Sequence, residues 1–456
     1  MLTDVFLALG LALSPATQLR IAAIPLGPGE VCLLIWLALT VPAKLATGGF
    51  ALTNAAKHLL AFWAMFAVAL AIGYVTAAVL NDKQDPKLVL HDVIAYPLLA
   101  AVSIAASADP EAKQRLWRVA WLCAGAGTVC LLLQGLGAAH IVNMLAPDPW
   151  YWERLRGWSQ NPNQLAFFCL FLLYLALHLL GQSATAAGRF AALVCLLAAA
   201  CTGYLTQSDA LRIAFAAGAM AFLAVRVHAI WHHPGGDLTL TPALAWYGVL
   251  VLPLAVLASV LLLPEASTSL NGSLASLAKN GGVDAASEAQ LRYELWQEAL
   301  DRGIESGFLG LGPGPHLPIP ASISDARQLE NEPDNLDHPQ LNGTANFEAH
   351  NTFLDLLTQG GLLAVASFVW LILTDLQRTV RKNLAGMAAL LVSLCVFAIT
   401  GFVARQPVFW FAIAFSLVCA DTVTFRLAGQ PTTATWPRNA VNGLVRPHLS
   451  TNGGLI

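Results

Sequence analysis

The residues of this chain best suited to chemistry are a handful of arginines and one histidine, each set against an apolar segment. Arg154 and Arg156 flank Leu155 and lead into Gly157, Trp158 and the run Asn161-Pro162-Asn163. Two guanidiniums this close together at a membrane surface can hold phosphate or diphosphate oxygens in forked hydrogen bonds. They can equally act as interfacial anchors, because Trp150, Tyr151, Trp152 and Trp158 form an aromatic belt beside them. Arg212 lies within an apolar stretch, where a charge costs at least about 2.5 kcal/mol and so marks either a site or a partnered side chain. Asp209, three residues earlier on the same helical face, is the candidate partner. His350 stands between Glu348 and Thr352, where a polar segment becomes an apolar helix. A helix N-terminus disfavours imidazolium and leaves a ring able to accept a proton, as a general base must, whereas Glu348 pulls towards the charged form. A polar cap at the water boundary is the other role open to it.

The elements that position these residues follow from composition. Of the 456 residues, 57% are hydrophobic and 11% charged, and the mean hydropathy is +0.63, against roughly a quarter charged in a typical soluble domain. An ordinary soluble enzyme is excluded, and a net charge of -3 gives no reason to expect nucleic acid. With about 20 apolar residues per crossing, the chain reads as an all-α integral membrane protein of about twelve transmembrane helices. The apolar windows are 5-19, 29-46, 55-80, 89-107, 116-137, 163-181, 187-206, 209-231, 244-263, 349-374, 384-404 and 407-426. Helices one to nine then occupy 1-263, a polar loop 264-348, helices ten to twelve 349-426, and a tail 427-456. Asp4 and the lack of a small-residue cleavage pattern make the first window a retained span and not a signal peptide. If both termini are cytoplasmic, the short loops on that side hold thirteen Lys and Arg against six opposite, which satisfies the positive-inside rule and puts the long loop in the periplasm.

That loop carries thirteen acids and four bases. Ser287 followed by Gln290 is a capping-box signature and Gly303 a candidate C-cap, so a helix is expected over 287-302 with Leu291, Leu295 and Ala299 on one face and Arg292 beside Trp296. Gly310-Leu311-Gly312-Pro313-Gly314-Pro315 reads as a rigid turn, and no Lys-Ser/Thr follows to make it a nucleotide loop. The acids from Asp325 to Asp337, with His338, read as a solvated loop and not a metal site, and Asn271-Gly272-Ser273 and Asn342-Gly343-Thr344 match the glycosylation pattern only as short patterns do by chance. His316 and the other histidines are isolated or lie in Pro-rich loops. All eight cysteines fall in apolar windows and read as small hydrophobes of helix packing.

Taken in order, R-x-x-G and N-P-N (Arg154, Gly157, Asn161 to Asn163), R-x-x-x-W (Arg292, Trp296), G-x-G-P-G (Gly310 to Gly314) and H-N-x-x-L with a following G-G (His350, Asn351, Leu354, Gly360, Gly361) resemble the O-antigen ligase superfamily of polytopic glycosyltransferases. The resemblance covers about residues 150 to 375 and implies a GT-C-like fold. It further implies an undecaprenyl diphosphate-linked glycan donor, a lipid A-core acceptor, a site on the periplasmic side of the bacterial inner membrane, and no cofactor. Carried onto this chain, it implies His350 and Arg292 as catalytic, Arg154, Arg156, Arg212 and Arg292 as diphosphate ligands, and Trp296, Asn163 and Asn351 as support. One departure is visible. The family often shows Ser-Arg where this chain has Ser208-Asp209, with the arginine displaced to Arg212; three residues turn a helix by about 300°, which keeps the face.

The chemistry is consistent with the residue types. Transfer of a glycan from a diphosphate needs cations for the departing group and a base for the incoming hydroxyl; arginines meet the first need and His350 the second. The O-antigen polymerase and the protein O-oligosaccharyltransferase of the same superfamily share these motifs and remain alternatives. A lipid or solute transporter is the reading from another class. Against it stand the long late insert and the lack of an evident pair of broken helices in two halves.

Overall fold

The computed structural model describes residues 2-20, 26-82, 86-142, 148-151, 153-232, 282-318 and 347-421. They form a helical bundle: α1 Leu2–Leu13, α2 Pro28–Thr47, α3 Asn54–Leu80, α4 Pro86–Ser107, α5 Ala112–Ala138, α6 Pro162–Gln182, α7 Ala186–Leu205, α8 Asp209–His232, α9 Gly282–Glu305, α10 Thr352–Arg381, α11 Ala385–Phe397 and α12 Pro407–Asp421. A two-residue hairpin, β1 Trp150–Tyr151 and β2 Arg154–Leu155, stands between α5 and α6. Short polar signals set the ends. Thr53 and Thr185 cap α3 and α7 by accepting from Ala56 N and Gly188 N, while Asn81 closes α3 in the left-handed region.

Eight of these helices are long and apolar enough to cross a membrane, and three more, Thr3–Leu13, Ala385–Phe397 and Pro407–Asp421, are apolar but shorter. A count of twelve crossings is therefore not what the described residues display. The ninth window, 244-263, lies outside them, as do the acidic run Asp325 to His338, both glycosylation patterns and the tail 427-456. The window 384-404 overshoots its helix for a physical reason. Residues such as Ala398, Val403 and Ala404 are apolar because they are buried against protein in the turn after α11, not because they continue it. In the same way Ser14 and Pro15 end α1 at Leu13, well short of residue 19. The loop helix expected over 287-302 runs Gly282–Glu305. Ser287 is thus inside the helix and not its cap, and the left-handed turn falls at Gly307 instead of Gly303.

The core lies along α3, α10 and α12, where Trp63 and Trp410 sit with ring centroids 4.4 Å apart and Phe62 packs against Phe66, Phe368 and Trp410. Both of these indole N–H groups are satisfied: Trp63 donates to Ser103 Oγ and Trp410 to Ala404 O. Five cysteines, Cys123, Cys130, Cys169, Cys195 and Cys419, are buried among the helices. At the end of the bundle where α4 meets α5, Asp109 pairs with Arg115 at 2.6 Å and Lys44 at 2.9 Å. Burial raises the Asp109 carboxyl, but the two cations outweigh it and hold it down to about 2.

The least regular feature is where α9 and α10 meet. Trp296 of α9 donates to Ala349 O, Gly303 abuts Leu357, and Phe308 O accepts from Leu362 N, so α9 runs parallel to the first half of α10. Helix α10 is interrupted at Gly361 (φ 64°, ψ -162°). The break lets Leu362 N turn to Phe308 O at 3.0 Å, and the carbonyls of Thr358 and Gln359 accept instead from Leu311 N and Gly312 N, both at 2.7 Å. The Gly310 to Pro315 segment thereby dips between α3, α4 and α10, roughly 10 Å along α10 from its start, before returning to pair Leu317 with Phe347. It is not an exposed turn of an outer loop: residues 310 to 317 are all buried.

Glycine at position 73 of α3 is what admits this loop. A Cβ there would stand 2.5 Å from Gly312 N and against Gln359 O, backbone atoms that cannot swing aside. Gly73→Ala should cost about 1 to 3 kcal/mol through overpacking, read as a lower thermal midpoint in detergent. Gly125→Ala, with open space where the methyl would go, should show no loss; equal behaviour of the two variants would contradict the packing described.

Candidate functional site

Helix ends gather the candidate residues at one end of the bundle. Gln18, after α1, donates its N–H to Trp158 O; Thr352 N, at the start of α10, donates to Ala398 O after α11; and Phe167, near the start of α6, packs on Phe397 with centroids 5.1 Å apart. The hairpin, the start of α6, the α7–α8 turn and the start of α10 therefore share this end.

The first constellation is built by its own sequence. Gly157 takes φ +58°, and a Cβ on it would overlap the Gln134 amide, which binds Trp158 N at 3.0 Å. Asn161 caps α6 by accepting from Asn163 N, and Pro162 occupies the first helical position. Asn163 Oδ1 then accepts from Arg154 Nη2 at 3.0 Å and Ser208 Oγ at 2.9 Å, and Arg154 Nε donates to Thr206 O at 3.1 Å. The N-P-N run is thus a cap, a helix start and a clamp that holds Arg154 against the α7–α8 turn. Arg156 takes a different path: it lies over the Tyr151 ring and donates to Asp148. Of the expected aromatic belt, Trp150 is partly buried and donates to Ala138 O, while Trp152 lies outside the described residues. Arg212 pairs with Asp209 at 2.9 Å, the two side chains 49% and 83% exposed. A pair this open to solvent contributes about 0 to 1 kcal/mol.

His350 sits at φ +50° just before Asn351, which caps α10 by accepting from Phe353 N and Leu354 N. Asn351 and not His350 is the cap. The ring of His350 is exposed and meets Phe347 edge to face at 5.5 Å. Around it the backbone is held: Asp355 accepts from Ala349 N at 2.7 Å and Asn351 N at 3.2 Å, and Trp296 binds Ala349 O at 3.1 Å. Arg292 is one turn before Trp296, so the docking of Trp296 brings the Arg292 turn of α9 beside the His350 segment.

Sequence reasoning passed over a third group. Asp92 of α4, fully buried, accepts from Arg405 Nη1 at 2.9 Å and Gly314 N at 3.1 Å, with His91 Nδ1 at 3.3 Å. The other arm of Arg405 pairs with Glu348. Nearby, His316 is buried between Gly312 O and Asp82, and Tyr96 donates to Gln359 Oε1. The signal was present: Asp92 is a carboxylate inside an apolar window, and the rule that singles out Arg212 applies to it with equal force. Arg405 had no such signal, because it falls in the short loop between the last two apolar windows, where an arginine needs no special partner.

No curated protein matches this chain. A family model described as O-antigen ligase matches residues 191–369, a stretch that runs from within α7 to the second half of α10 and takes in Arg212, Arg292, Trp296, the Gly310 to Gly314 loop and His350, while Arg154 and Arg405 fall to either side of it. Over that stretch the chain is similar to the O-antigen ligase family.

Proposed function

We propose that this protein is an O-antigen ligase that transfers O-polysaccharide from undecaprenyl diphosphate to a lipid A-core oligosaccharide, at the periplasmic face of a bacterial inner membrane and with both termini cytoplasmic. The coarser part of the reading, a multi-pass membrane protein of glycosyltransferase type acting on lipid-linked glycans, is supported by the apolar helices and by the family match. The observation that carries the mechanism is the Trp296 to Ala349 hydrogen bond, which seats the helix bearing Arg292 on the segment bearing His350. His350 accepts the proton of the incoming hydroxyl as its oxygen bonds to the anomeric carbon. The bond from that carbon to the diphosphate oxygen breaks on the opposite face, inverting the centre, and the electron pair leaves on the diphosphate. Arg292 and Arg154 stabilise that charge, with Arg156 and Arg212 at the rim. Asn163 supports Arg154 and Asn351 supports His350. Fixed guanidiniums fill the electrostatic role, so the reaction asks for neither metal nor nucleotide. An O-antigen polymerase or a protein O-oligosaccharyltransferase would use the same donor half with another acceptor, and a panel of acceptors decides between them.

With purified protein, a lipid-diphosphate glycan and a lipid A-core acceptor, His350→Ala should lose about 100- to 10,000-fold in turnover yet still bind the donor, and wild-type transfer should fall towards acid pH as the imidazole protonates. Full activity in His350→Ala would refute the base. Arg292→Lys should also be inactive if forked bonds to the diphosphate matter; normal turnover there would remove Arg292 from the donor site.

Transfer should continue in excess EDTA. Strict dependence on added magnesium or manganese would instead move the chemistry to the acidic run Asp325 to His338.

A further inference from the structure

The residues flanking His350 are tied down by several elements. Phe347 pairs with Leu317 in an antiparallel bridge, Ala349 is bound at its N–H by Asp355 and at its carbonyl by Trp296, Asn351 N donates to Asp355, and Thr352 N donates to Ala398 O. Glu348 is tied by Arg405. Such pinning is what a non-glycine residue at φ +50° requires, since that backbone region persists only where the surroundings over-determine it.

The Arg405 tie differs from the rest because it is an ion pair that links the His350 segment to α4. Asp92 already receives the Gly314 N–H and His91, and one arm of Arg405 suffices to match its charge. The second arm is not needed for that purpose. It reaches the carboxylate two residues before His350, and the guanidinium plane, stacked over Phe402 at 4.7 Å, fixes the direction in which Glu348 is drawn. A lysine in its place offers a point charge without the rigid fork that spans two carboxylates.

We propose that Arg405 is a positioning residue for His350. By bridging Asp92 of α4 to Glu348, it sets the place of the imidazole relative to α4 and the buried Gly310 to Pro315 loop. This rests on the reading of His350 as the base. Arg405 itself does not touch the donor.

The test uses the full chain in detergent or liposomes with a lipid-diphosphate glycan donor and a lipid A-core acceptor. Arg405→Gln and Glu348→Gln should each lower kcat by about 100-fold, the loss that a displacement near 1 Å of a reacting group produces, and leave the KM for the donor unchanged. Combined with His350→Ala, either should add nothing to the loss of His350→Ala alone, because all act through one group. Arg405→Gln strands a buried carboxylate, which penalises folding; Glu348→Gln keeps the Asp92 to Arg405 pair and carries the test by itself. Wild-type kcat in Glu348→Gln with His350→Ala inactive overturns the positioning role alone. A raised KM with unchanged kcat, or losses that add to that of His350→Ala, overturns it in favour of direct contact with the donor. Full turnover in His350→Ala overturns the base assignment and this proposal with it.

Discussion

The architecture turns on an exchange of hydrogen bonds at Gly361. In an unbroken helix Thr358 O would accept from Leu362 N and Gln359 O from Leu363 N. Here Leu362 N serves Phe308 O, and the two carbonyls serve Leu311 N and Gly312 N. A backbone group buried in an apolar bundle without a partner costs several kcal/mol, so irregular chain is tolerated there only where protein satisfies it. The break in α10 and the loop after α9 are each forbidden alone and permitted together. Each supplies the donors and acceptors that the other lacks.

From that exchange the site's geometry follows. Because Phe308 is fastened to Leu362 and Leu311 to Thr358, α9 must lie parallel to the first turns of α10, and its Trp296 then reaches Ala349 O. The returning strand reaches Phe347 through Leu317 and delivers Gly314 N to Asp92 on the way. The close approach explains the glycines: a Cβ on Gly310 would meet Gln359 and Gly361, and one on Gly361 would meet the Phe308 carbonyl. Both also have positive φ, the region in which glycine carries no steric penalty. His350, at the surface end of this arrangement, is the residue left exposed by a segment whose other members face inward or are bound.

Much of this was legible in the sequence, and the limits have physical causes. Periodicity and apolar runs report burial in anything apolar, so they located the long helices but could not separate helix α11 from the buried turn that follows it at Ala398 to Ala404. The Gly310 to Gly314 and Gly360-Gly361 runs were visible as separate motifs, yet nothing local says that they meet, because the bonds joining them span about fifty residues of sequence. One break in a helix is present at Gly361 although no pair of broken helices was evident, and it is filled by loop backbone of the same chain. Asp92, Arg405 and Glu348 are more than three hundred residues apart at the extremes, and only folding makes them one cluster. Arg154 was legible because its clamp, Asn163, is nine residues away and part of the same motif.

The same geometry sorts the arginines by what their charge is left to do. Arg405 stands between two carboxylates, Arg212 is matched by Asp209, and Arg156 leans on Asp148. Arg154 is held by a carbonyl and an amide oxygen, Thr206 O and Asn163 Oδ1. These neutral acceptors orient its guanidinium without cancelling its charge. A cation at the centre of a diphosphate site, unlike Arg156 and Arg212 at its rim, has to be fixed in direction and yet retain its field, since an adjacent carboxylate would both compete for its N–H groups and repel the incoming anion. Arg154 meets that requirement among the described residues, and the asparagine that closes N-P-N is the means: an aspartate at that position would clamp Arg154 equally well while removing the charge that the site needs.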